Sequence, residues 1–170
     1  DDQLLLTLRS DWTVSGKTFP AGSLLAQNLK AYLKGDRNMS VLFTPTERKS
    51  LHGMSATLNY IILNELDNVR GRVTVLRRAK GNWVSSTLPV PDIGSISVSG
   101  IDADESDDYF LSFSDFLTPS TLSYGTIGRK TPEKLKSLPA FFNAAGLEVT
   151  QHEAVSKDGT KVPYFQVSRK

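Results

Sequence analysis

A chain without cysteine has no thiolate zinc site, iron–sulfur cluster, disulfide or thiol nucleophile open to it, and this one has none. Its two imidazoles, His52 and His152, stand 100 residues apart on different expected elements. A metal site built from them would need carboxylates supplied by the fold, with no His-Glu-x-x-His spacing to help, so the plainer reading is strand-surface or core histidines. The acidic run Asp102-Ala103-Asp104-Glu105-Ser106-Asp107-Asp108 offers hard oxygen donors, but Asp107 stands where a calcium loop needs Gly, and Phe113 where it needs Glu. It reads as a solvated turn. The basic residues Arg70, Arg72, Arg77, Arg78 and Lys80 suggest phosphate binding, yet they alternate as on a solvated strand face, and Glu65, Asp67 and Asp92 dilute their field. No Gly-x-Ser-x-Gly elbow and no phosphate-cradling glycine loop occurs. Asn38-Met39-Ser40 fits a glycosylation acceptor, a pattern too frequent by chance to carry weight. No catalytic, cofactor-binding or metal-ligating residue is therefore assigned, and no cofactor is expected.

The remaining composition is ordinary. With 170 residues, 39% hydrophobic and 22% charged, the chain has the make-up of one globular domain with a sizeable core. A formal charge of +2 builds no field that would name a nucleic acid or a membrane surface as a partner. The longest apolar runs, Leu4-Leu5-Leu6 and Tyr60-Ile61-Ile62-Leu63, fall far short of the roughly 20 residues of a membrane-spanning helix. Asp1-Asp2-Gln3 carries no signal-peptide pattern, so any leader is expected to be absent or removed. The compartment stays open between cytoplasm and periplasm.

Apolar runs of four to seven residues separated by Gly, Pro, Asn, Asp and Ser predict mostly β structure. The strongest are 4–8, 23–26, 41–43, 60–63, 73–76, 96–101, 109–113 and 121–124. Helical spacing is confined to Asn28–Lys34 and Pro132–Leu138, each about two turns at most.

Three of the strands align, each followed by an Asp: Leu4–Leu8 by Asp11, Ile61–Leu63 by Asp67 and Phe110–Phe113 by Asp115, at spacings of 56 and 48 residues. A turn and a further strand follow each Asp, and a weaker strand follows in the first two copies, 41–43 and 83–84. Before the second and third copies lies a strand rich in small residues, Ser50–Ser55 and Gly94–Gly100, which the first copy lacks. Four strands per unit at a period near 50 residues is the pattern of a β-propeller blade, whose innermost strand is crowded near the axis. The expectation is an all-β propeller segment of about three four-stranded blades, the first incomplete, over residues 1–145. Leu138–Phe142 reads as the exit from the last blade, and Asp158-Gly159 between alternating segments predicts a β-hairpin over 146–170.

These residues resemble the prolyl oligopeptidases, serine peptidases that pair a seven-bladed propeller with an α/β-hydrolase domain. The resemblance covers essentially the whole chain. It is most specific at Leu6-Thr7-Leu8-Arg9-Ser10-Asp11-Trp12, at Val98–Leu122 with Asp102–Ser106 and Phe116–Thr121, and at Ser156–Pro163. It implies that residues 146–170 form the hairpin opening a hydrolase domain, and that the catalytic Ser, His and Asp lie in sequence after Lys170, so none falls on a position here. It implies cleavage of short proline-containing peptides by the parent enzyme, with the propeller gating access. The alternative is a stand-alone β-rich binding module for proteins or peptides. Unpaired strand edges and exposed blade faces further predict that the isolated chain associates with another copy.

Overall fold

Stretches of three to ten residues, most joined by tight turns, set the strands of this structure, a computed structural model that describes residues 2–129 and 131–170. Asp1 and Lys130 lie outside that description. The chain divides into two compact units, Asp1–His52 and Gly53–Lys170.

In the first unit, β1 (Gln3–Thr7), β4 (Leu24–Asn28) and β5 (Ser40–Phe43) form a three-stranded sheet in the order β1-β4-β5. Between β1 and β4 is an inserted hairpin, β2 (Trp12–Val14) and β3 (Lys17–Phe19). Asp11 closes its base, its Oδ1 accepting from the Ala21 amide at 2.8 Å. Phe19 buries itself with Leu25 and Met39, and Leu6, Leu8, Trp12, Val14 and Tyr32 pack around them, so the insertion shares one core with the sheet and helix of this unit. Helix α1 (Leu29–Leu33) falls within the first helical expectation, capped by Asn28, whose side chain accepts from the Ala31 amide at 3.0 Å.

The second unit holds two four-stranded blades. One is β6 (Lys49–Ala56, beginning before the division), β7 (Ile61–Asp67), β8 (Arg70–Ala79) and β9 (Asn82–Thr87), in that order. The next is β10 (Ser95–Gly100), β11 (Asp108–Ser114), β12 (Thr121–Thr126) and β13 (Glu133–Ser137). Strand β13 corrects the helix expected over Pro132–Leu138. Pro132 and Pro139 bracket only six residues, a stretch that would make few intrahelical hydrogen bonds, and Glu133–Ser137 pair instead with β12, past a bulge at Leu122/Ser123, as the exposed outer strand. Beyond them β14 (Leu147–Val155) and β15 (Lys161–Arg169) form a separate two-stranded sheet. Its loop closes with the Gly159 amide donating to the Ser156 carbonyl at 2.9 Å and Gly159 at φ 83°, the Asp-Gly signal serving a turn with a left-handed last residue.

Alternation puts one face of each blade against the other. Ile62, Val73, Val75 and Leu88 meet Val98, Tyr109 and Leu111 in one buried cluster. Polar stitches run alongside it. The Asn64 amide bonds both main-chain groups of Val98, its Nδ2 donating to the carbonyl at 2.9 Å and its Oδ1 accepting from the N–H at 2.8 Å. The small residues of the inner strands have a physical cause. A Cβ at Gly100 would fall on the carbonyl oxygen of Ala56, while the Gly100 amide donates to Ser55 Oγ at 3.0 Å.

Gly100→Ala is expected to lower stability by about 1–3 kcal/mol through overpacking of this junction, read from the urea midpoint; an unchanged midpoint would show that the two inner strands can part freely. Asp108 provides a pH test. A hydrogen bond from Thr126 Oγ1 at 2.6 Å, and then one from the Tyr124 hydroxyl, hold its carboxyl below the ordinary range. Its stabilisation is therefore present above the unfolded carboxylate pKa of about 3.9 and lost as pH falls through the lowered folded value. Asp108→Asn should flatten that acid limb of the stability curve, and an identical limb in the variant would exclude Asp108 as its source.

Candidate functional site

Consecutive strands of a blade run in opposite directions, so their turns alternate between the two ends. At one end lie the β6–β7 turn, the β8–β9 turn and the acidic β10–β11 turn. The acidic run is more than the solvated turn its composition suggests. Asp107 accepts from Thr57 Oγ1 at 2.9 Å, from the Asn59 amide at 2.8 Å and from Asn59 Nδ2 at 2.8 Å, bracing one blade against the other. Residues 101–105 are exposed, with Asp102 Oδ1 accepting from the Asp104 amide.

The opposite end carries the β7–β8 turn, the β11–β12 turn, the link from β9 to β10, and the β14–β15 hairpin. Its residues belong to sequence positions far apart. Arg70 donates from Nε to Gln151 Oε1 at 2.6 Å and from Nη1 to Asp92 Oδ2 at 2.6 Å. Gln151 Nε2 donates in turn to the Asn68 carbonyl at 3.0 Å. Beside this network the Phe116 and Phe165 rings meet at 5.4 Å between centroids. Val69, Gly94, Ser114, Asp115, Phe116 and Phe165 line a groove of about 320 Å³ between blades and hairpin. A second groove, about 270 Å³, lies between the β11–β12 turn and Ala140–Phe142. Asp115 shapes that turn, its Oδ1 accepting from the Leu117 amide at 2.8 Å and the Thr118 amide at 2.5 Å.

One turn at this end is strained. Three two-residue hairpin loops have both φ angles positive: Ser15-Gly16, Asn68-Val69 and Lys80-Gly81. Such turns favour glycine at the second position, as at Gly16 and Gly81. Val69, at φ 61°, is β-branched in the left-handed region, a conformation kept when its surroundings hold it.

The residues singled out from sequence fall as follows. His52 is exposed on β6. His152 is exposed on β14, its ring stacked on Tyr164 at 5.4 Å and its Nε2 at 2.8 Å from Thr150 Oγ1. The basic residues do not form one patch. Arg70 turns to the hairpin, Arg72 pairs with Asp67 at 3.7 Å, and Arg78 lies 5.5 Å over the Trp83 ring. What the sequence reading missed is the meeting of Arg70 with Gln151 and of Phe116 with Phe165. No motif spacing marks it, because Arg70 and Gln151 are 81 residues apart.

Comparison with known proteins fits this arrangement. The family described as prolyl oligopeptidase, N-terminal beta-propeller domain, matches residues 9–136. An uncharacterized peptidase of Sinorhizobium fredii is 42% identical over 99% of this chain, which covers 23% of that protein. The structure of a post-proline cleaving enzyme from Rickettsia typhi aligns with TM-score 0.72 and 28% identity over 99% of this chain and 25% of that one. A structure from a study of two prolyl endopeptidases aligns with TM-score 0.68 and 26% identity over 87% of this chain and 21% of that one. The chain thus spans about a quarter of the length of the proteins it resembles.

Val69→Gly should relieve the left-handed strain and raise stability by about 1 kcal/mol. Thermal or urea unfolding checks it; a loss of stability would mean that the side chain's packing in the groove outweighs its backbone strain.

Proposed function

Because the chain belongs to the prolyl oligopeptidase family as a part of its N-terminal β-propeller, we propose that it is the non-catalytic portion of a serine endopeptidase that cleaves short peptides after proline. The match over residues 9–136 carries this reading. Residues 146–170 are read as the opening hairpin of an α/β-hydrolase domain in the same protein, which would bring the Ser, His and Asp of the reaction. The hairpin's place at the turn end of the blades supports that assignment, since a domain continuing from β15 would begin there. The blades' part in the reaction is then exclusion. A wall of packed sheets over a peptidase site admits short flexible peptides, turns away folded proteins and keeps bulk water from the reacting groups.

The isolated chain is proposed to self-associate. Phe141 is 86% exposed, Leu138 and Phe142 are exposed beside it, and the outer strand β13 has an open edge. Sedimentation of the purified chain should give a species heavier than a monomer at micromolar concentration, and a stable monomer would count against this.

Hydrolysis of a Gly-Pro reporter peptide tests the main reading. The full-length protein should cleave after proline and residues 1–170 alone should not. Cleavage by the chain alone, or an inactive full-length protein, would overturn it.

A further inference from the structure

Gln151 on β14 and Phe165 on β15 are opposite each other in the hairpin register. Directly opposed residues of an antiparallel pair project from the same face, and from this rung the two side chains reach different blades. Gln151 takes a hydrogen bond from Arg70 and gives one to the Asn68 carbonyl, both at the β7–β8 turn. Phe165 meets Phe116 in the β11–β12 turn of the neighbouring blade. Arg70 extends the contact to Asp92 in the link between the blades. Past the rung, residues 152–162 are all exposed.

We propose that the Gln151–Phe165 rung is the pin by which two adjacent blades together set the position of the hairpin, with Arg70, Gln151 and Phe165 acting as positioning residues for the part of the enzyme that follows. The proposal rests on the reading above only in that last clause. Its chemistry is specific. Gln151 is both acceptor and donor here, and Arg70 serves both the hairpin and the link through two edges of one guanidinium, a geometry an ammonium does not reproduce. A shift of either blade is felt at the same rung, so the hairpin follows their mean position.

Hydrogen exchange on the full chain tests the pin without reference to activity. Gln151→Ala and Phe165→Ala should each speed exchange over 147–155 and 161–169 by about tenfold, leaving the peptides of β7, β8, β10 and β11 unchanged. Lys157→Ala, at the exposed hairpin tip, serves as the control and should change nothing. Should Gln151→Ala unfold the chain, Gln151→Glu keeps the acceptor for Arg70, loses the donor to Asn68, and should give a smaller rise. Exchange in the pin variants no faster than in the tip control overturns the proposal. In the full-length protein, Gln151→Ala should lower kcat for the Gly-Pro reporter by about fivefold with KM within about twofold, and Arg70→Ala should cost less in that background than in the wild type, since the contact the two residues share is already gone. A fully additive pair, or unchanged kcat, overturns the positioning role. An inactive wild-type protein would instead overturn the peptidase reading and leave the exchange result standing.

Discussion

The architecture of Gly53–Lys170 depends on how closely two sheets can approach. The interlocked face of Ile62, Val73, Val75 and Leu88 against Val98, Tyr109 and Leu111 is bought by small residues at the inner strands, above all Gly100, whose missing side chain lets the main chain pass against Ala56. Every methylene in such a junction is in contact, so spacing is sharply defined. The polar features are arranged around that spacing. Asp107 reaches Thr57 and Asn59, and Asn64 reaches Val98, because the apolar contact has already brought their backbones within reach. At the other end the same spacing places the β7–β8 and β11–β12 turns where a single rung of the hairpin can touch both.

The two ends of the blades are built by different means. At the acidic end a carboxylate accepts three hydrogen bonds across the junction, an arrangement that is rigid and local. At the hairpin end the contacts come from a turn with a left-handed valine, a guanidinium shared between two partners and a pair of tilted rings. These are partly exposed interactions of modest strength.

Much of this could be read from residue order. Strands with one buried face alternate, and the alternation of Arg72-Val73-Thr74-Val75 or Ile96-Ser97-Val98-Ser99 leaves little choice of structure. The inner strands announced themselves by their serines and glycines, and the terminal hairpin by Asp158-Gly159. Two elements were hidden. Glu133–Ser137 is too short for its Lys134-Leu135-Lys136 alternation to carry much information, and only pairing with β12 decides. The β2–β3 insertion consists of two three-residue strands, below the length at which periodicity carries information. The hairpin contact was out of reach altogether. Gln151 is one polar residue among several on β14, and nothing local distinguishes the one whose partner lies 81 positions upstream.

Asn64 separates two demands that usually fall on one side chain. Packing reads the isopropyl group of Val98, while the Asn64 amide reads the peptide unit of the same residue and is indifferent to what that residue is. This one stitch is thus written on one blade and addressed to the main chain of the other. Lineages can therefore rewrite the side chains of the inner strand, subject to volume, without losing the stitch.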